Sequence, residues 1–121
     1  MDTVCTTCRR AGMKLYLKGE RCFSPKCSFT RRSYQPGAHG TKRRQRLSEY
    51  ARELHEKQRA KEAYGLRERS FRKYFQEAAR KSGSTTTGGR LVQLLEMRLD
   101  TICYRAGFAP SRKAARQLIA H

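Results

Sequence analysis

The chain has 121 residues, and its 28 Lys and Arg against 10 Asp and Glu leave a formal net charge of +18. That length allows one or two small modules around a modest core, and that charge is best neutralised by a polyanion. No run of residues approaches a membrane span and no apolar stretch opens the chain as a signal peptide would, so a cytosolic chain is the default expectation.

Residues 1–46 carry 12 basic and 2 acidic groups, so the N-terminal third holds more than half of the charge excess. Within it, Cys5, Cys8, Cys22 and Cys27 form the pattern C-x2-C-x13-C-x4-C. Two close pairs joined by an excursion long enough to fold back suit one tetrahedral metal. Thiolates favour soft or borderline ions, so structural Zn is expected, with an iron–sulfur cluster as the alternative. Four thiolates and one dication would bring the net charge to about +16. Two disulfides are the competing reading, disfavoured in a reducing compartment. Cys103, between Ile102 and Tyr104, reads as a buried structural thiol.

Between the cysteine pairs, Met13, Leu15 and Leu17 alternate with Lys14, Tyr16 and Lys18, which predicts a short strand bracketed by Gly12 and Gly19. From Ser28 to Arg46 the chain reads as an extended basic arm with turns at Pro36-Gly37 and His39-Gly40. Arg31, Arg32, Lys42, Arg43, Arg44 and Arg46 supply its charge, with Tyr34 and His39 interleaved, a composition suited to RNA contact. His39 alone reads as a hydrogen-bonding loop residue rather than a base.

Helices are expected from Leu47 onward. Ser48 caps the first, with Leu47, Tyr50, Ala51, Leu54 and Gln58 on one face and Gly65 at its end. The second spans about Arg67 to Lys81 with Phe71, Tyr74, Phe75 and Ala78 inward and Gly83 as its stop. Ser84 to Gly89 reads as a flexible junction, followed by a helix burying Leu91, Leu94, Leu95 and Leu99. Asp100 and Ser111 are the expected caps of two last helices, the first closed by Gly107. The second buries Ala114, Ala115, Leu118 and Ile119 and presents Arg112, Lys113, Arg116 and Gln117. The expected architecture is mainly α: a four-cysteine zinc module and arm (1–46), a helical domain (47–97) and a final helical piece (98–121).

The runs Cys5-Thr-Thr-Cys-Arg-Arg, Lys14-Leu-Tyr-Leu-Lys-Gly, Arg21-Cys22, Lys26-Cys27, Arg31-Arg32 and Pro36-Gly-Ala-His-Gly40 resemble the zinc-binding form of the bacterial ribosomal protein S4 family. Many members have glutamine in place of Ala38. The stretch from Arg98 to Leu118 resembles the opening of the S4-type RNA-binding domain, of which residues 98–121 would be the helical half. The resemblance covers nearly the whole chain in order. It implies a primary binder of a helical junction in small-subunit ribosomal RNA that nucleates subunit assembly near the messenger entry channel. Neighbouring small-subunit ribosomal proteins and messenger RNA are the further partners implied, with no membrane and no small-molecule substrate. Localisation would be cytoplasmic, on the ribosome. By position, Cys5, Cys8, Cys22 and Cys27 would hold zinc. Arg9, Arg10, Lys14, Lys18, Arg31, Arg32, Arg43, Arg44, Arg112, Lys113 and Arg116 would touch RNA.

Family members continue past the final helix into a small β-rich portion, whereas this chain stops at His121. A fragment, a truncated product or part of a longer chain is therefore expected, marginally stable alone and ordered by RNA. Two other functions compete. An RNA-modifying enzyme fragment could carry the same RNA-binding domain, but it needs a nucleophile or base in a pocket, and the three histidines are isolated. A zinc- or redox-responsive RNA-binding regulator would use the same thiolates as its sensor. No catalytic residue is assigned.

Overall fold

The computed structural model describes residues 3–42, 46–80 and 86–121. Arg43, Arg44, Lys81, Gly83, Ser84 and Thr85 lie outside the described residues, and with them the end expected for the second long helix and most of the junction after it. The chain forms two compact units, Met1–Ala63 and Tyr64–His121, dividing within the segment expected as one helical domain.

In the first unit, helix α1 (Thr3–Ala11) carries Cys5 and Cys8 one turn apart, with Arg9 and Arg10 in its last turn where cations suit the helix dipole. The Gly12 and Met13 N–H groups close it on the Cys8 carbonyl at 3.0 and 3.4 Å. A single 3-10 turn (Glu20–Phe23) holds Cys22, and Cys27 leads into the one-turn helix α2 (Ser28–Arg31), which packs on α1. The long helix α3 (Glu49–Tyr64) starts at Ser48, whose hydroxyl accepts the Ala51 N–H at 3.2 Å as expected of an N-cap. Its expected apolar face is shallow: Tyr50 is 75% exposed and no residue of the helix is fully buried.

The strand expected at Met13–Lys18 is not formed, and no strand occurs among the described residues. Leu15 is buried and its neighbour Tyr16 exposed, as alternation requires, but Tyr16 takes φ 54° and turns the chain out of extended geometry. Without a second strand to pair with, the backbone groups gain nothing from staying extended. Tyr16 instead stacks on Phe23 with ring centroids 5.0 Å apart.

In the second unit, helix α4 (Glu68–Arg80) packs on α5 (Thr87–Glu96), and α6 (Leu99–Arg105) packs on α7 (Arg112–Ala120). The core is Leu66, Phe71, Ala78, Leu95 and Ala115, with Leu95 and Ala115 fully shielded. Phe71 and Ala78 are seven apart and share one stripe. Phe75, at the stripe's edge, stays 47% exposed, against expectation. Leu99, Leu118 and Ile119 were likewise expected inside and are exposed, because α6 and α7 cover only the Ala115 side. Cys103 is half-buried rather than buried.

Thr87, Gly88 and Gly89 belong to α5 and not to a flexible junction. Thr86 caps that helix by accepting the Gly89 N–H at 3.1 Å, which outweighs the low helix propensity of two glycines. Gly107 follows α6 at φ 88°, a conformation L-residues rarely adopt, so the turn to α7 needs glycine there. Ser111 then caps α7 through the Ala114 N–H at 3.1 Å.

Candidate nucleic-acid interface

All four expected metal ligands line one cavity of about 20 Å³, together with Val4, Leu17, Lys18 and Phe29. That is room for one small ion or water. Cys8, Cys22 and Cys27 are buried, Cys5 is half-buried, and all are free thiols. Backbone N–H groups are aimed at the sulfurs: Lys18 N–H donates to Cys22 Sγ at 3.4 Å, Leu15 to Cys8, and Phe29 and Thr30 to Cys27. Burial pushes the Cys8 thiol up. Burial also acts on Cys27, but there the Thr30 and Phe29 hydrogen bonds and the Lys14 charge outweigh it and bring the thiol down. Donor type, number and N–H support fit a thiolate-held zinc ion chemically. Among the described residues, no three His, Cys, Asp or Glu side chains are gathered closely enough to hold a metal ion.

Around the cysteines the cations divide into two kinds. Arg9 is only 3% exposed and works as a clamp. Its Nε donates to the Tyr34 carbonyl at 3.1 Å and its Nη2 to the Gln35 carbonyl at 3.5 Å, while its guanidinium lies 5.1 Å from the Tyr34 ring centre. The start of the basic arm is thereby tied to α1. The same arm turns back on itself so tightly that a Cβ at Gly40 would collide with the Gln35 carbonyl. Lys14 is also engaged, its Nζ donating to the Cys22 carbonyl at 3.0 Å. By contrast, Arg10, Arg31, Arg32, His39, Lys42 and Arg46 are exposed, Tyr34 is 40% exposed, and Lys18 is half-buried.

The basic residues expected on α7 divide the same way. Lys113 is exposed. Arg116 turns to internal partners: Nη2 donates to Asp100 Oδ2 at 2.9 Å and to the Tyr64 carbonyl at 3.1 Å, and Nη1 to the Gly65 carbonyl at 2.9 Å. Arg112 lies over two rings, 4.6 Å from the Tyr64 centre and 4.8 Å from that of Tyr104. Asp100 was expected as a cap; Arg98 occupies that position, and Asp100 is instead a buried carboxylate two residues on, in the first turn of α6. Arg98 binds it through Nε at 3.1 Å and gives Nη1 to Tyr74 Oη at 2.8 Å. Burial pushes the Asp100 carboxyl up, but the Arg98 and Arg116 guanidiniums more than offset that and hold it below the usual range.

Residues the sequence reading missed belong to this internal set. Tyr64 Oη donates to Glu96 Oε1 at 2.7 Å, and Arg105 Nη2 donates to the same oxygen at 3.1 Å. Burial, then the Glu96 contact, push the Tyr64 hydroxyl up to about 12. In the first unit, Arg59 Nε donates to the Ala11 carbonyl at 2.8 Å and joins α3 to the end of α1. Arg98 and Asp100 are two residues apart and Arg105 and Glu96 nine, whereas Tyr64–Glu96 and Arg59–Ala11 span 32 and 48 residues.

Comparison with known proteins covers both units. Residues 2–96 match the family model described as the ribosomal protein S4/S9 N-terminal domain, and residues 97–121 match the S4 domain. The chain is 58% identical over 120 residues to the small ribosomal subunit protein uS4 of Syntrophomonas wolfei, covering 99% of this chain and 56% of that protein. It is 57% identical over 118 residues to the protein of the same name from Thermus thermophilus, covering 98% of this chain and 56% of that protein. The chain thus spans little more than half the length of the curated relatives it matches.

Proposed function

This chain belongs to the ribosomal protein S4 family, and from that premise we propose that it is a structural RNA-binding protein of the small ribosomal subunit. The observation that carries the reading is the pairing of the two family matches, in order across both units, with a set of exposed cations in the first. Its ligand is a helical junction of small-subunit ribosomal RNA. Binding there supports early subunit assembly, beside neighbouring ribosomal proteins and near the messenger entry channel, in the cytoplasm. The relatives are named as ribosomal proteins and not as enzymes, which supports a non-catalytic role.

Affinity comes from counterion release as exposed Lys and Arg meet phosphates, and specificity from fit to a folded RNA. Arg10, Arg31, Arg32, Lys42, Arg46 and Lys113 are the contact groups best placed for this, because their side chains are exposed. Arg9, Lys14 and Arg116 act behind them by fixing the backbone that carries the contacts. Zinc is the metal we assign to Cys5, Cys8, Cys22 and Cys27, where it would supply a structural crosslink between α1 and the segment leading into α2.

Titrating the chain against a small-subunit RNA junction at increasing salt tests the reading. The expected result is a steep linear loss of log affinity with log salt, and stronger binding to the junction than to an unrelated RNA duplex. Salt-independent binding, or equal affinity for both RNAs, would refute it. Metal analysis of the purified chain is expected to return one zinc per chain, lost in Cys22→Ser.

A further inference from the structure

Between α1 and α2 lies a half-open cavity of about 160 Å³ lined by Arg9, Ser28, Arg31 and Arg32. Its lining is three arginines and one serine, with no acidic residue among them. Two larger cavities among the described residues differ in that respect. The one of about 290 Å³ beside Arg10 and Arg59 includes Glu62, and the one of about 440 Å³ on α4 includes Glu77. A carboxylate in the wall repels an anion at close range, whereas a wall of arginines and a hydroxyl matches the acceptor oxygens of a phosphate. At about 30 Å³ per water, 160 Å³ holds one tetrahedral oxyanion with part of its hydration.

The cavity is built into the fold. Arg9 is 97% buried on one side and is held by the carbonyls of Tyr34 and Gln35. Arg9 directly follows Cys8, and Ser28 directly follows Cys27, so the packing of α1 on α2 through the cysteine cluster sets the distance between the two walls. Arg31 and Arg32 are exposed and able to close on an anion from the solvent side.

We infer that this cavity is a discrete subsite for one phosphate group of the bound RNA, gripped by Arg31 and Arg32 together, with Ser28 as a hydroxyl donor and Arg9 as the buried wall. The inference rests on the RNA-binding reading above and adds to it that two adjacent arginines serve a single phosphate. A pair of arginines on separate phosphates would release counterions twice; a pair on one phosphate releases them once.

The test uses the full chain, an RNA junction from the small subunit, and the variants Arg31→Gln, Arg32→Gln and their double. Arg67→Gln with Arg69→Gln, exposed positions of the second unit, is the charge-matched control. Circular dichroism checks that helix content is unchanged. Each single variant is expected to lose about tenfold in affinity, the scale of one charge-assisted hydrogen bond. The double variant is expected to flatten the log–log salt slope by about 0.7–0.9, one phosphate's worth. A loss of about twice that slope would place the two arginines on separate phosphates and overturn the inference. A double variant that behaves like the control would also overturn it while leaving the RNA-binding reading intact. Failure of the wild-type chain to bind the RNA would instead remove the reading itself. Inorganic phosphate, set against chloride at equal ionic strength, separates the sources. Phosphate is expected to compete with RNA for the wild-type chain and not for the double variant. Phosphate binding with undiminished RNA affinity in the double variant would assign the cavity to the free anion and overturn the RNA form.

Discussion

The two units use arginine in opposite ways. In Met1–Ala63, Arg10, Arg31, Arg32 and Arg46 are exposed, and the shielded core is little more than Leu15, three cysteines and the Arg9 clamp. In Tyr64–His121, Arg98 and Arg116 converge on one buried carboxylate, Arg112 lies over two tyrosine rings, and Phe71 and Leu95 supply a buried apolar core. A cation already paired with a carboxylate gains little from a phosphate, because the exchange gives up one ion pair to make another. The formal charge of +18 therefore overstates what the second unit can offer to RNA and describes the first unit better.

The deepest test of that contrast is the core that only the second unit has. Phe71 is 1% exposed, so Phe71→Ala is expected to cost about 3–5 kcal/mol in a urea titration. A loss that large should unfold the second unit while the zinc binding proposed for the first persists. Loss of zinc in the same variant would mean that the two units fold as one.

Asp100→Asn comes next, with an expected cost of about 2–4 kcal/mol at neutral pH, since it leaves two guanidiniums with a neutral partner. The carboxyl is held below its usual range, so the folded chain resists protonation that the unfolded chain accepts near pH 4. Stability from this group is thus complete above the unfolded value and falls as pH drops through the folded one. Glu96, held down first by Arg105 and then by Tyr64, acts with the same sign. The wild-type urea midpoint should fall between pH 5 and pH 3, and the Asn variant should fall less. Parallel decline in both would show that Asp100 carries no special share of the acid sensitivity.

Much of the second unit was readable because its signals are local. The Ser111 cap, the stop at Gly107 and the inward Phe71, Ala78, Leu95 and Ala115 each depend on neighbours within about two turns. The clamps were not readable for the opposite reason. Arg9 finds the Tyr34 carbonyl across 25 residues and Arg116 finds that of Tyr64 across 52. In the sequence, Arg9 and Arg116 look the same as Arg10 and Lys113, and only the returning chain decides which cation meets a carbonyl and which meets water. The expected strand failed on another nonlocal quantity, since alternation at Met13–Lys18 promises a face but cannot supply the strand that pairs with it. The cysteine pattern identified four residues that do line one cavity, because spacing in a short loop limits where the ends can be.

If exposed cations of the first unit serve binding and not folding, Lys42→Gln and Arg46→Gln should leave stability within about 0.5 kcal/mol of wild type. Each should still flatten the RNA salt slope by about 0.7–0.9 if it meets a phosphate. Lower stability with an unchanged slope would reverse the roles and break the comparison.

The smallest expected effect sharpens the contrast at helix ends. Ser48 and Ser111 make the same cap hydrogen bond, at 3.2 and 3.1 Å, but Ser48 is exposed and Ser111 is 6% exposed. In Ser48→Ala water can take over the freed N–H, so the cost should sit near the low end for caps, about 0.5 kcal/mol. In Ser111→Ala the Ala114 N–H is part-buried and harder for water to reach, so about 1–2 kcal/mol is expected. The two urea midpoints, measured side by side in the full chain, should differ in that order. Equal costs would mean that water reaches the start of α7 as easily as that of α3, and that the second unit is looser around its last helix than its buried Ala115 suggests.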